Sequence, residues 1–266
     1  MTNMEPYFSG AQLYGDDFDQ EQIDDWFVDE QEGYAELGAA EHGSVDSYFY
    51  HSLNQFHGFR HLPPMRYRHA LGLGSAYGAE FLPLIDRIEK LTILEPSQQL
   101  RSSEIAGLPI EYVDPAASGS MAFPDETFDL VLSLGVLHHV PNVSHVIREI
   151  GRVTTPGGVA LVREPVISMG DWRTRRPGLT LRERGIPSKI LDRAFESARF
   201  EILHQSPCIF PTTRILNKYG WGVGNPKGVK LDSLLCRLTD WNRRYHATNR
   251  WHKVRPSSRF YVLQKH

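Results

Sequence analysis

Residues 70–96 read ALGLGSAYGAEFLPLIDRIEKLTILEP and combine four features in a short space. An apolar run precedes a turn with glycines at 72, 74 and 78, and a segment with helical spacing then leads into a second apolar run that ends in Glu95. Glycine permits positive φ and close backbone approach, and a helix start offers free N–H groups to a ligand. An acid about 20 residues after such a turn can accept hydrogen bonds from both hydroxyls of a ribose. The stretch therefore predicts a strand, a glycine loop, a helix and a second strand that bind a nucleoside.

Short apolar runs continue to alternate with helical segments after this stretch. Strands are predicted in IEYVD, FDLVLSLG and GVALVREP, with a helix in VSHVIREIGRV, a helix at 188–198, and final strands at 200–204 and 259–264. This alternation indicates an α/β fold with a mainly parallel sheet and crossover helices. Because such a sheet binds ligands at the carboxyl ends of its strands, the loops after residues 73, 95, 114, 133 and 164 should line one crevice.

Further motifs follow the glycine loop in a fixed order. They are Asp114 after the third strand, FPDETFDLV at 123–131, Leu137-His138-His139 beyond the fourth strand, Arg152-Val153, and Pro156-Gly157-Gly158 before the fifth strand. With these motifs, residues 67–165 resemble a class I S-adenosylmethionine-dependent methyltransferase of the widespread type 11-like group. The resemblance implies a three-layer Rossmann-like sandwich around a seven-stranded sheet, with S-adenosylmethionine as cofactor and S-adenosylhomocysteine as product.

The resemblance also implies a cofactor site. Glu95 corresponds to the acid that holds the ribose, and Asp114 to the acid that holds the adenine amine. The residues implied in cofactor binding are Gly72, Leu73, Gly74, Ser75, Gly78, Glu95, Pro96, Asp114, Pro115, Ser133 and Leu134. The chain departs from the family at Gly72, where an acid usually orients the amino acid end of the cofactor, and at Ala76, where a third glycine is usual. We expect another group to replace the acid, with residues 48–60 as the predicted source.

Catalysis of methyl transfer depends mainly on positioning, because the sulfonium is already an activated leaving group. A base near a hydroxyl acceptor would take its proton. His138, His139 and Glu164 are the predicted catalytic residues, and Asp171, Trp172 and Arg173 are predicted to bind the acceptor. Structural alternatives stand beside these roles: the histidine pair can cap or pack the next helix, and Arg163 can form a plain ion pair with Glu164.

Charge is distributed unevenly along the chain, although the formal net charge is only −3. Thirteen Asp and Glu precede Arg60 with no Lys or Arg, whereas residues 214–266 hold 12 Lys and Arg against two Asp. We name residues 1–59 the acidic head and residues 214–266 the basic tail. Either the head lies on the tail, or the tail receives an anionic substrate, or both are solvated surface.

The pattern also predicts three parts of the chain. Residues 44–60 show helical spacing after Ser44 or Asp46 as a cap, and the equivalent helix in the family often covers the cofactor. We therefore predict an acidic N-terminal segment with a helical lid at 1–62 and a methyltransferase domain at 63–266. A helical insertion is predicted at 211–256, between the last two strands.

Several classes of protein are excluded or disfavoured. The chain has no apolar run of about 20 residues and no signal peptide at its start, so a cytoplasmic location is predicted. P-loop, G-x-S-x-G, H-E-x-x-H and C-x-x-C motifs are missing, so no metal site is predicted, and Cys208 and Cys236 are expected in the core. Net negative charge and the lack of a nucleic-acid module disfavour a nucleic-acid partner.

The predicted function is S-adenosylmethionine-dependent methyl transfer to a small-molecule or glycan-type acceptor, at oxygen. Trp221, Trp241 and Trp251 alternate with basic residues and can stack on a sugar or cover the core. Two alternatives stay open: an NAD(P)-binding oxidoreductase, which could use the same glycines and Glu95, and a non-catalytic methyltransferase-like partner subunit, which Gly72 and Ala76 make credible. The sequence predicts no oligomeric state.

Overall fold

A computed structural model describes residues 3–41 and 48–266, which contain one sheet of eight strands. The strands are β1 (Ala70–Leu73), β2 (Leu91–Leu94), β3 (Glu104–Ile105), β4 (Leu108–Val113), β5 (Phe128–Leu134), β6 (Thr154–Pro165), β7 (Phe200–Cys208) and β8 (Ser258–Lys265). Their order is β3-β4-β2-β1-β5-β6-β8-β7. Strands β4, β2, β1, β5 and β6 are parallel, whereas β8 runs antiparallel to β6 and β7. The carboxyl ends of the five parallel strands therefore meet at one edge.

Helices cover both faces of this sheet and give three layers. They are α1 (Glu5–Phe8), α2 (Gln20–Glu41), α3 (His51–His57), α4 (Val143–Val153), α5 (Ser188–Ser197), α6 (Pro211–Leu216) and α7 (Pro226–Thr239). Alternate strand residues enter opposite cores: Val131 packs with α4 and α5, and Leu132 packs with α3 and α7. Helix α4 buries Val143, Val146 and Ile147 at the spacing that one helical face requires.

The structure confirms the predicted fold class and differs from the prediction in local detail. The eighth strand is β3, a two-residue strand that pairs antiparallel with β4. The helix predicted after the glycine loop is a 3₁₀ helix at Ala79–Arg87, and it contains Pro83, which has no N–H to donate to an α-helical ladder. The helix predicted at 44–60 is α3 followed by a 3₁₀ turn at Phe59–His61, and the proposed caps Ser44 and Asp46 lie outside the described residues.

The N-terminal segment packs along the carboxyl edge of the sheet. Trp26 of α2 is completely buried, and Tyr14 stacks on Trp172 at 5.4 Å with an angle of 6° between the rings. Helices α6 and α7 lie between β7 and β8 in the chain, and α7 packs against β7 and α3. Among the described residues, no helix combines the length and apolarity that crossing a bilayer requires. The division at residue 62 stays a prediction.

Candidate active site

The glycine loop after β1 lies against the turn that follows β5. Gly74 and Gly78 have φ values of 55° and 77°, in the left-handed region that favours glycine. A Cβ on Gly74 would lie 3.0 Å from the side chain of Val136, so the loop backbone and the turn are in close contact. Ala76, at the position of the usual third glycine, also has a positive φ of 44°. The loop therefore keeps the backbone conformation that glycine favours, and the positive φ of Ala76 costs about 1–2 kcal/mol.

Glu95 ties this loop to the end of β2. Its buried carboxylate accepts hydrogen bonds from the N–H of Ala76 at 3.1 Å and from the N–H of Ser97 at 2.9 Å. Asp114, at the end of β4, is exposed and pairs with Arg101, which also donates to the main-chain oxygen of Glu95. Pro96 and Pro115 follow these two acids. The acids predicted to bind ribose and adenine therefore lie on neighbouring strand ends, where Arg101 links them.

No side chain fits at Gly72. A Cβ there would lie 2.9 Å from Ser75 Cβ and 2.9 Å from Phe81, so the usual acid has no room. Instead, Ser75 Oγ donates a hydrogen bond to Glu80 Oε1 at 2.6 Å. Glu80 is buried, and this burial raises the pKa of its carboxyl to about 7, against opposing effects of Ser75 and Arg163. A carboxylate is thus present beside the loop, although it comes from residue 80. Sequence reasoning missed Glu80 because it looked like part of a surface helix.

Arg163, at the end of β6, provides a buried cation near Glu80. It donates to Asn54 Oδ1 at 3.0 Å and to Leu134 O at 3.1 Å, and its guanidinium lies 4.2 Å from the ring centre of Tyr50. The alternative of an ion pair with Glu164 is wrong, because adjacent strand residues point to opposite faces. Residues 48–60 therefore supply Asn54 and Tyr50 to the site, but they do not supply the replacement acid.

Buried polar atoms near this crevice fit the amino acid end of S-adenosylmethionine. Ser133 pairs in register with Leu73, and its fully buried Oγ has no hydrogen-bond partner among the residues that the structure describes. Glu80 and Arg163 offer one acidic and one basic group to a ligand with an ammonium and a carboxylate. These residues are compatible with the cofactor in charge and in hydrogen-bonding capacity.

Glu164 holds the turn after β5. It is fully buried and accepts from the N–H groups of Val136 at 2.9 Å and Leu137 at 2.8 Å, and its Oε2 lies 2.7 Å from His138 Nδ1. His138 also faces Glu183, with 3.4 Å between Nε2 and Oε1. Burial disfavours the charged imidazole, but hydrogen bonds to Glu164 and Glu183 outweigh it and raise the pKa of His138 to about 9.

The base roles of Glu164 and His138 stay predictions. Glu164 is fully buried, and His138 is buried with its ring nitrogens facing two carboxylates. In this structure both side chains position the turn. His139 is half-buried, with its Nδ1 2.8 Å from Glu30 Oε2 of α2, and it stays a catalytic candidate.

The three residues predicted to bind the acceptor lie in two different environments. Trp172 is buried against Tyr14 and Phe8, and its Nε1 donates to Ser168 O at 2.9 Å, so its role as an acceptor contact stays a prediction. Asp171 and Arg173 form a surface ion pair at 2.6 Å, and their role stays a prediction.

The aromatic residues of the insertion do not cover the core as a group. Trp241 and Trp251 are 81% and 79% exposed, and Trp221 is also exposed, whereas Tyr245 is buried. Tyr245 OH donates to Gly185 O at 2.5 Å, so this one residue supports the loop that also contains Trp172.

The sheet order and the glycine loop agree with the resemblance to class I S-adenosylmethionine-dependent methyltransferases. Residues 71–162 match the family model described as a methyltransferase domain. S-adenosylmethionine is the cofactor of this class, and the match leaves the nicotinamide alternative without support.

Relatives and solved structures agree with this class. A sterol 4-C-methyltransferase of Caenorhabditis elegans is 29% identical over 110 residues, which cover 39% of this chain and 33% of that protein. The 27-O-demethylrifamycin SV methyltransferase of Amycolatopsis mediterranei is 46% identical over 48 residues, 18% of this chain and 16% of that protein. The matches thus span a third or less of these relatives' lengths. A methyltransferase structure from Mesorhizobium loti superposes with a TM-score of 0.55 at 16% identity, covering 84% of this chain and all of that one, and shows the shared fold.

Proposed function

We propose that this protein transfers a methyl group from S-adenosylmethionine to an oxygen of a small-molecule acceptor. The observation that carries the proposal is the family match over residues 71–162, since this range contains the glycine loop, Glu95, Asp114 and the histidine turn. The charge pair of Glu80 and Arg163 supports it independently, because it supplies what the departure at Gly72 takes away.

Each end of the cofactor has a candidate partner. Glu95 would accept from the ribose hydroxyls, and Asp114, which now pairs with Arg101, would accept from the adenine amine. Glu80 would bind the ammonium, and Arg163 would bind the carboxylate. When bound, S-adenosylmethionine supplies a methyl group already activated on a sulfonium, so these residues serve to orient it.

The acceptor site lies between the turn after β5 and the N-terminal segment. His139 and Glu30 approach each other there from opposite sides, and His139 would take the proton of an acceptor hydroxyl. The names of the two relatives, which specify a sterol and a rifamycin precursor, favour a small organic acceptor. The rifamycin relative's name specifies an oxygen and the sterol relative's name specifies a carbon, so O-methylation rests on the proposal itself. A glycan-type acceptor fits the exposed tryptophans.

Titration calorimetry with S-adenosylmethionine, S-adenosylhomocysteine and NADH tests the cofactor. We expect the first two ligands to bind with micromolar dissociation constants and NADH to give no heat. A labelled methyl group, offered with a panel of phenols, sterols and sugars, then tests the acceptor.

The non-catalytic alternative makes the opposite prediction. A correctly folded chain that bound neither S-adenosylmethionine nor S-adenosylhomocysteine would establish it and would overturn the proposed function. Glu80 argues against this outcome, because a carboxylate still lies next to the glycine loop despite Gly72.

A further inference from the structure

Two histidines and a glutamate meet beside the proposed acceptor site. His138 and His139 come from the turn after β5, and Glu183 comes from the loop before α5. Each offers a ligand atom, and these atoms all lie within 4.8 Å of one another. We name these three residues the histidine–glutamate cluster.

Each member of the cluster is held by a partner on its outer side. His138 Nδ1 lies 2.7 Å from Glu164 Oε2, and His139 Nδ1 lies 2.8 Å from Glu30 Oε2. Glu183 Oε2 accepts from the N–H of Thr180 at 3.1 Å. Carboxylates that orient the imidazoles in this manner are typical of metal sites, where they fix the tautomer and strengthen the ligand.

The inner distance also suits a metal ion. His138 Nε2 and Glu183 Oε1 are 3.4 Å apart. Two ligand atoms about 2.0–2.2 Å from a tetrahedral zinc ion stand about 3.3 Å from each other. This pair already has the separation that a shared ion requires, and the His139 ligand atom, which lies within 4.8 Å of both, would move inward to complete the set.

The carboxylates around the cluster outnumber the nearby arginines by three to two. Three glutamates, Glu30, Glu164 and Glu183, surround the two imidazoles. The nearby arginines direct hydrogen bonds to main-chain oxygens, Arg176 to Thr180 O at 3.1 Å and Arg184 to His138 O at 3.1 Å.

We propose that the histidine–glutamate cluster binds one divalent transition-metal ion through two imidazoles and one carboxylate. This ligand set suits Zn²⁺, Fe²⁺ or Co²⁺ better than Mg²⁺ or Ca²⁺, which prefer oxygen ligands. Three protein ligands leave a coordination position open. The sequence patterns predicted no metal site because residues 138, 139 and 183 match no linear motif.

The ion would stand next to the cofactor crevice. A Cβ on Gly135 would lie 3.5 Å from Arg163 Nη2 and 3.8 Å from His138 Cε1, so this glycine separates the two sites. An acceptor oxygen in the open position would lose its proton to water more readily, since a cation stabilises the oxyanion, and His139 would then be a ligand of the ion and not the base. This use of the ion rests on the proposed function, whereas binding of the ion does not.

Cobalt titration of the full chain tests the proposal. After treatment with a chelator, Co²⁺ is added while visible absorption and calorimetric heat are recorded. We expect one Co²⁺ per chain, with visible bands typical of low coordination number. His139→Gln and Glu183→Gln each remove a ligand, and Glu30→Gln weakens the support of His139, so we expect each to weaken binding by about tenfold or more. His145→Gln, a half-buried histidine on α4 next to Ser120, is the matched control and should leave binding unchanged.

Two outcomes would overturn the metal site. One is a folded native chain that binds no Co²⁺. The other is an unchanged dissociation constant in both ligand variants, with circular dichroism showing that they fold. His139 is partly exposed, so its variant tests the site even where Glu183→Gln fails to fold. S-adenosylhomocysteine binding is measured on the same samples, and Co²⁺ binding without it would support the metal site while overturning the proposed function.

Discussion

Glu80 illustrates how one residue can replace another from a different position in the chain. The close contact of Ser75 and Phe81 with the backbone at Gly72 excludes a side chain there, and Ser75 directs a hydrogen bond to Glu80 instead. The acid has moved by eight positions in sequence while staying beside the glycine loop. Burial without a direct ion pair leaves its proton exchangeable near neutral pH, with the pKa raised to about 7.

Glu80→Gln should weaken cofactor binding. Hydrogen bonds to charged groups contribute about 1.5–3 kcal/mol, so we expect S-adenosylhomocysteine to bind on the order of tenfold to a hundredfold more weakly. The ligand's ammonium should also lower the pKa of Glu80, so binding at pH 6 should release a proton from the native protein and none from the variant. Calorimetry in buffers of different ionisation enthalpy measures this release. Glu89→Gln, on the exposed surface, is the control, and equal proton release in Glu80→Gln would remove Glu80 from the site.

Glu80 should also make stability depend on pH. Its folded pKa of about 7 lies above the ordinary value of 4.5, so the folded state binds more protons between these values. The contribution to stability is therefore present below pH 4.5 and is lost as pH rises to about 7, by roughly 3 kcal/mol at most. Urea unfolding at pH 5 and pH 8 should show that Glu80→Gln removes this part of the decline. A native and a variant protein with the same pH dependence would contradict the assignment.

At the scale of elements, the turn after β5 is held from two sides. On one side, Glu164 of β6 accepts hydrogen bonds from the N–H groups of the turn. On the other side, Trp26 of α2 donates to His139 O at 2.8 Å. Arg184 adds hydrogen bonds to His138 O and Pro141 O. The short turn therefore depends on elements that are far apart in sequence.

Trp26→Ala should be strongly destabilising. The side chain is fully buried, so its removal should lower the free energy of unfolding by about 3–5 kcal/mol. Val28 on the same helix is 52% exposed, and Val28→Ala should change the free energy of unfolding by less than about 0.5 kcal/mol. Urea unfolding of both variants measures the difference, and similar values for the two would mean that α2 does not pack as described.

Asp16 of the N-terminal segment caps α4. Its carboxylate accepts from Ser144 N at 2.7 Å and Ser144 Oγ at 2.6 Å, in the first turn of that helix. Asp16→Ala should therefore lower the free energy of unfolding by about 1 kcal/mol. Asp24→Ala, on the exposed face of α2, is the comparison, and it should have a smaller effect.

At the scale of the whole molecule, the acidic head is part of the folded body. Its aromatic residues stack on Trp172, Phe8 lies 4.4 Å from the ring of His246, and its Asp29 pairs with Arg182. The head thus contacts mainly the loop at residues 171–187 and the part of the tail around Tyr245. It contacts the Lys and Arg side chains of the tail less. Of the charge hypotheses, the contact of head with tail is partly correct, and it is made mainly by aromatic rings.

Removal of the head should therefore destabilise the whole chain. A protein that starts at residue 48 loses Trp26, Tyr14 and Asp16, and we expect its thermal midpoint to fall by more than about 10 °C, since each kcal/mol corresponds to about 2–4 °C at this size. A protein that lacks only residues 1–3 should keep its midpoint. Equal midpoints for the native protein and the long truncation would show that the head does not stabilise the rest of the chain.

The sequence alone determined the class of fold and the order of its motifs, because strand, glycine loop and acid are local patterns with a local physical cause. Only the tertiary structure decided which polar groups meet. Glu80 reaches the glycine loop through a 3₁₀ turn, Glu164 turns away from Arg163 to bind the turn after β5, and Trp172 is covered by Tyr14 from 158 positions earlier. The histidine–glutamate cluster likewise joins residues 45 positions apart. Such contacts depend on side-chain direction and on packing between distant elements, and neither leaves a periodic signal in the chain.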